Sequence, residues 1–272
     1  MPINQLDLSG RVAVVTGAGG ALGGSAARYL AKQDVKVICL GRTLSKLEVT
    51  AAEIKNNGGE ALVFEADVLN RDALTTVKES ILNEYGRIDM LINAAGGNTM
   101  RAVVGPDQSV FDLSMDYLQE VTDLNLNGCI IPTLVFGEEM AKKGKGSIVT
   151  YSSMSVDRVI TRSVGYSASK AAMENFTKWM AVELAKKYGE GIRVNAIAPG
   201  FFIGDQNRSL LINPDGSLTN RGELIIKNTP FGRFGEADEL NGAIHWLCSD
   251  AASFVTGVSV PIDGGFSVFS GV

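Results

Sequence analysis

Histidine is almost missing from this chain, with one residue, His245, in 272. It lies in AIHWLCSD, the pattern of a packed helix, so a histidine-centred triad or a histidine-ligated metal site lacks the residues it needs. Cysteine is nearly as scarce. Cys39, Cys129 and Cys248 stand apart in apolar surroundings with no C-x-x-C pair. That excludes a zinc ribbon or dithiol redox motif and leaves buried reduced thiols as the expectation, with no metal.

Other absences narrow the class further. No run of 18 apolar residues is present, and residues 1–10 are too polar for a secretory signal, so no membrane partner is expected. A formal net charge of −5 and a pI near 5.1 argue against a nucleic-acid partner, which would need a basic stripe. No linker, repeat or low-complexity tract divides the chain, and with 45% hydrophobic residues it can bury one large core. The expectation is a soluble, cytoplasmic protein with one domain over 1–272 and a small-molecule partner.

What is present alternates between two periods. Short β-branched apolar runs at 11–16, 36–40, 62–65 and 90–93 are separated by helical patterns at 25–32, 44–56 and 71–85. Strands alternating with helices of this length predict an α/β fold, a doubly wound parallel sheet with helices on both faces and a ligand at the strand ends. The first run breaks at Gly17-Ala18-Gly19-Gly20-Ala21-Leu22-Gly23 before a helix. Strand, glycine turn and helix are the parts of a dinucleotide site, in which backbone N–H groups at the helix start hold a pyrophosphate. A glycine turn alone is weak, since many strand-to-helix turns are glycine-rich for steric reasons.

The second run ends in Gly41-Arg42-Thr43, with Lys46 a turn later, where a chain selecting NAD usually carries an acidic residue. Arginine there suits a 2′-phosphate, so NADP is preferred over NAD.

The densest chemistry lies in 153–170, SMSVDRVITRSVGYSASK. If Tyr166 opens a helix, Lys170 lies on the same face one turn on, and phenol and ammonium share a pocket. A free tyrosine has a pKa of about 10, and a nearby cation is expected to lower it toward working pH. Ser153 would give the second hydrogen bond to an oxygen that gains negative charge.

With these residues in view, the chain resembles the short-chain dehydrogenase/reductase family over nearly its whole length. The family's glycine motif corresponds to Thr16-Gly17-x-x-x-Ala21-x-Gly23, its adenine-pocket aspartate to Asp67-Val68, and its N-N-A-G element to Asn93-Ala94-Ala95-Gly96. The resemblance places the catalytic set on Asn125, Ser153, Tyr166 and Lys170. Asn195 to Gly200, including Pro199 and Gly200, matches the segment beside the nicotinamide, and Thr256-Gly257 with Asp263-Gly264-Gly265 the C-terminal signature. It implies a single-domain Rossmann fold and hydride exchange between a nicotinamide cofactor and an alcohol or ketone. Tyr166 would move the proton, Ser153 hold the oxygen, Lys170 lower the tyrosine pKa and bind the ribose, and Asn125 anchor a water. Three positions depart from the pattern: Ala21 and Ala94 replace glycine and asparagine, and Gly204 stands where a threonine often binds the nicotinamide amide.

Two stretches carry the substrate expectation, 97–116 and the long polar 201–235, which reads as a closing loop. Asn98, Arg158, Arg162, Gln206, Asn207 and Arg208 would make a polar, cationic pocket suited to a hydroxylated carboxylate. The GGN after the asparagine motif and FFIGDQNR resemble those of sugar-acid members that interconvert D-mannonate and D-fructuronate. The alternatives are a 3-oxoacyl thioester (acyl carrier protein) reductase and, outside catalysis, a regulator that senses the nicotinamide ratio. The helical pattern at 168–187, with Phe176, Trp179, Met180 and Leu184, offers a broad apolar surface, and the resemblance implies a homodimer or homotetramer through it. The apolar tail 266–272 would bury at an interface or on its own subunit.

Overall fold

The computed structural model describes residues 4–105, 107–204 and 207–271; Gln206 lies outside them. Seven strands, β1 (Val12–Thr16), β2 (Lys36–Gly41), β3 (Ala61–Glu65), β4 (Met90–Asn93), β5 (Gly146–Tyr151), β6 (Ile192–Pro199) and β7 (Ser259–Ile262), form one parallel sheet. Its order is β3-β2-β1-β4-β5-β6-β7, so the winding reverses between β1 and β4. That reversal point, beyond the carboxyl ends of the strands, is where such sheets bind ligands.

The strands are largely apolar because both faces are covered. Ala13, Val15, Val37 and Cys39 point into a core shared with α1 (Ala21–Ala31), α2 (Leu44–Asn56) and α9 (Asn241–Cys248). Val12, Val14, Ile38, Leu40 and Leu91 point into the opposite core, against α3 (Arg71–Tyr85), α5 (Gly128–Lys143) and α6 (Val164–Tyr188). All three cysteines are buried within the layers, and burial pushes their thiols up, Cys39 to about 11 and Cys129 and Cys248 to about 12. His245 is a packing residue in α9, bonded to the Tyr29 hydroxyl at 3.1 Å and the Leu6 carbonyl at 2.6 Å.

Two helices start earlier than their sequence patterns. The first begins at Ala21 because extended Gly20 (φ −93°, ψ 169°) ends the turn, and glycine-rich residues follow that show no apolar period. The long helix α6 begins at Val164, and buried Ser169, Lys170, Met173, Glu174, Thr177, Met180, Ala181 and Leu184 recur at three- and four-residue spacing. Met180 and Leu184 therefore belong to the chain's own core, and the large apolar side chains left exposed on α6 are Trp179 and Val182 at mid-helix, with Val164 and Tyr188 at its ends.

Between α4 (Met115–Thr122) and α5 the helix passes through one π-turn, Asp123–Asn127. The stretch 201–235 is not one open loop. It folds α7 (Arg208–Leu211) onto α8 (Asn220–Lys227), whose first turn is capped by Thr219 accepting from the Gly222 amide at 3.1 Å. The tail docks on its own subunit, Phe266 packing edge-on against Phe201 and the Ser267 amide donating to Asp263.

Candidate active site

The end of β1 and the loop after β4 meet at the reversal point. Thr16 Oγ1 accepts from the Ala95 amide at 3.0 Å, which ties the glycine turn to the Asn93–Gly96 segment. Gly17 sits in the left-handed region (φ +67°), and a Cβ there would approach Ala95 N at 2.9 Å, so only glycine satisfies both demands. A Cβ at Gly23 would collide with the Gly17 carbonyl, and one at Gly19 would press on Lys46. Ala21 keeps a negative φ as the first residue of α1, so its methyl carries no backbone strain. No side chain caps the start of α1, and its first N–H groups, with the cradle of Gly17, Gly19, Leu22 and Gly23, are left to an anion.

The other expected cofactor residues lie around this cradle. Arg42 is exposed just past β2, Asp67 follows β3 with its carboxylate accepting from Leu69 N, and Val68 is buried beside Gly128. Asn93 donates to Thr133 at 2.9 Å, Ala94 and Ala95 are half-buried, and a Cβ at Gly96 would meet Asn125 Oδ1 at 2.9 Å and Lys170 Nζ at 3.3 Å. Pro199 ends β6, and Gly200 lets Asp263 approach, since a Cβ there would reach Asp263 Cα at 2.7 Å. Gly17, Gly23, Gly96 and Gly200 let backbone segments pack closely at the strand ends, where sheets of this order bind a dinucleotide.

At the reacting end, α6 presents Tyr166 half-buried and Lys170 buried, with the ammonium 5.7 Å from the phenol ring centroid. Lys170 Nζ donates to the Tyr151 carbonyl at 2.6 Å, at the end of β5. Ser153 follows two residues later and is buried; its Oγ accepts from Ser155 N. Burial pulls the Lys170 ammonium down to about 8. It pushes the Tyr166 phenol above its usual value, and a hydrogen bond with Ser153 opposes this only in part. The expected lowering by Lys170 is therefore not what the free site shows, because desolvation of the phenolate dominates. A phenol kept protonated is a proton donor.

Asn125 enters from the π-turn and binds backbone on both sides. It accepts from Gly97 N at 3.0 Å and donates to the Gly97 and Val121 carbonyls at 2.7 and 2.8 Å. Both amide hydrogens are spent on backbone carbonyls, and the side chain positions the loop after β4 through Gly97. Glu174, one turn beyond Lys170, is not among the site residues expected from the sequence. It accepts from Ser152 at 2.7 Å, Ser259 at 3.0 Å and Lys178 at 3.0 Å. Burial raises its carboxyl, but these bonds outweigh it and leave the pKa below the usual value. The Lys-x-x-x-Glu-x-x-x-Lys spacing from 170 to 178 was its only signal.

The expected substrate residues separate. Asn207 is spent inside its own loop, accepting from Gly204 N at 2.9 Å and donating to Phe202 O at 2.8 Å. Arg158 donates through Nε to the Ser267 carbonyl of the tail. Asn98 caps its neighbour Thr99 N, and Arg208 is exposed at the start of α7. Arg162 stands beside Arg221 of α8, which the sequence had not singled out.

Among the described residues no cluster of His, Cys, Asp or Glu could hold a metal, and no helix is long and apolar enough to cross a membrane.

The relatives agree with this geometry. A family model described as Enoyl-(Acyl carrier protein) reductase matches residues 17–267. An uncharacterized oxidoreductase, UxuB, of Bacillus subtilis (strain 168) is 43% identical over 281 residues, covering 100% of both chains. A 3-oxoacyl-[acyl-carrier-protein] reductase of Synechocystis is 33% identical, covering 96% of this chain and 99% of its own. A Haemophilus influenza protein provisionally named a D-mannonate oxidoreductase, solved with bound NAD, superposes with a TM-score of 0.91 at 38% identity over 98% of each chain. The chain belongs to the short-chain dehydrogenase/reductase family and is an NAD(P)-dependent oxidoreductase of that type.

Proposed function

We propose that this chain reduces the ketone of a sugar acid of the D-fructuronate type to the alcohol, D-mannonate in that case. The supporting observation is on the segment that leads into Tyr166, where Arg162 stands beside Arg221 of α8, a cationic setting for a carboxylate. A structural neighbour that carries the D-mannonate oxidoreductase name supports the same substrate class.

Gly17, Gly19, Ala21, Leu22 and Gly23 would hold the pyrophosphate, Asp67 and Val68 the adenine end, Asn93 to Gly96, Pro199 and Gly200 the walls of the cleft, and Tyr166 and Lys170 the ribose. A bound nicotinamide dinucleotide supplies the hydride. Arg42 and the absence of an acidic residue at that turn favour NADP, while neighbouring structures hold NAD or NADP. Tyr166, protonated at neutral pH, gives its proton to the substrate oxygen while Ser153 donates a second hydrogen bond to it. Lys170, positively charged below about pH 8, stabilises the phenolate left behind. This ordering of protons favours reduction.

A second reading, 3-oxoacyl thioester reduction, has the Synechocystis relative and exposed Val110, Phe111, Met115 and Val159 in its favour. A cofactor-sensing regulator would not need Tyr166. Exposed Trp179 and Val182 on α6 favour a homodimer or homotetramer, and we place the enzyme in the cytoplasm.

The test is absorbance at 340 nm with NADPH or NADH and D-fructuronate, beside an acetoacetyl thioester. Fructuronate-dependent oxidation of the cofactor, lost in Tyr166→Phe, supports the proposal. Turnover of the thioester alone overturns the sugar-acid reading, and a biological function unchanged by Tyr166→Phe overturns the enzymatic one.

A further inference from the structure

The half-buried cations of this chain follow a rule with one exception. Among the described residues Arg11, Arg28, Lys36, Lys78 and Arg221 are half-buried. The first four each lie within 4 Å of a carboxylate, on Asp250, Glu53, Glu60 and Glu138 respectively. Among the described residues Arg221 has none. The contacts its guanidinium makes there are two long ones, to Thr161 Oγ1 at 3.5 Å and to the Thr161 carbonyl at 3.4 Å, and a second cation, Arg162, stands beside it. A partly desolvated guanidinium facing a like charge is an unfavourable arrangement unless an anion joins them.

The backbone at Arg162 is also unusual. Its φ of +74° is one of only two positive values on non-glycine residues among those described, and its carbonyl accepts from Val104 N at 3.0 Å. Three segments meet here: the loop after β4, the 157–163 segment that ends three residues before Tyr166, and α8 of the 201–235 stretch. Strained, over-determined backbone of this kind gathers at ligand clamps.

We infer that Arg162 and Arg221 form a two-arginine clamp for the substrate's carboxylate, joining α8 to the segment that leads into the catalytic helix. The clamp rests on the sugar-acid reading and names the residues that select the acid. The carboxylate takes the place of the missing counter-ion, and binding it draws α8 and the 157–163 segment together over the site. Remote binding energy of this kind orients the ketone against Tyr166.

The experiment compares kcat/KM for D-fructuronate with that for D-fructose, in which a CH2OH stands where fructuronate has its carboxylate. Wild type, Arg221→Gln, Arg221→Lys, Arg162→Gln and, as a control on the same helix, Lys227→Gln are measured, with melting temperatures to confirm folding. The expected result is a fall of about 30-fold in the fructuronate-to-fructose ratio for either Gln variant, carried mainly in KM, with Arg221→Lys intermediate and Lys227→Gln at the wild-type ratio. An unchanged ratio in Arg221→Gln overturns the clamp and leaves the sugar-acid reading standing. If wild type does not turn over fructuronate, the sugar-acid reading fails, and the clamp is decided by calorimetric binding of malonate. Weakening of at least about tenfold in Arg221→Gln supports an anion clamp. Equal affinity in both proteins, or no malonate binding to wild type, overturns it.

Discussion

The carboxamide of Asn125 is paired with both backbone groups of Gly97, taking its N–H at 3.0 Å and giving to its carbonyl at 2.7 Å. One side chain thereby joins the π-turn before α5 to the loop after β4, directly above Gly96 and Lys170. An aspartate has the same shape but no N–H, so Asn125→Asp would set an acceptor against the Gly97 and Val121 carbonyls. The expected outcome is a loss of about 2–4 kcal/mol in stability by urea unfolding, with most activity lost. Unfolding at the wild-type midpoint would show that the pairing contributes nothing.

Gly17 and Ala21 occupy the same motif under opposite constraints. Gly17→Ala forces a Cβ into the left-handed region and against the Ala95 amide, whereas Ala21→Gly removes a methyl from a relaxed helix start. Gly17→Ala should abolish cofactor binding, read by fluorescence titration with NADPH, and lower the melting temperature. Ala21→Gly should bind within about threefold of wild type and lose at most about 1 kcal/mol of stability.

Lys170 sets a pH limit. Burial holds its ammonium at about 8, so kcat/KM for reduction should fall as pH rises through that value, when the amine becomes neutral. Lys170→Arg should remove the limb near pH 8 if residual activity survives. The stability effect has the opposite sign from a salt-bridged lysine. The folded pKa lies below the unfolded 10.5, so the burden of the buried charge is full below about pH 8 and fades as pH rises toward 10.5. Lys170→Met should therefore be inactive yet more stable than wild type at pH 7, by up to about 3 kcal/mol less about 1 for the lost bond to the Tyr151 carbonyl. That gain should shrink by pH 10, and a Met variant less stable at pH 7 would contradict it.

Among the described residues no atom lies within 4 Å of where a Cβ at Gly204 would stand, and its φ is not positive. A threonine fits there without strain. Gly204→Thr should restore the hydroxyl that the family commonly sets against the nicotinamide amide and lower the cofactor KM by about three- to tenfold, roughly one hydrogen bond. A raised KM would show that this chain holds the amide in another way.

The sequence by itself determined the layered sheet, the glycine cradle and the Ser153, Tyr166 and Lys170 set, because each rests on short-range physics. Apolar runs with both faces buried write strands, and four-residue spacing fixes Tyr166 and Lys170 on one helix face. The helix bounds 44–56 and 71–85 were legible for the same reason. The tertiary structure alone decided which polar residues remain free to meet a substrate. Asn207 and Arg158 read as pocket residues, yet Phe202, Gly204 and Ser267 take up their bonds, and Arg221, silent in sequence, is brought to Arg162 by the packing of α8. It also decided the direction of the Tyr166 shift. Desolvation depends on how much protein surrounds a group, and residue spacing carries no measure of that.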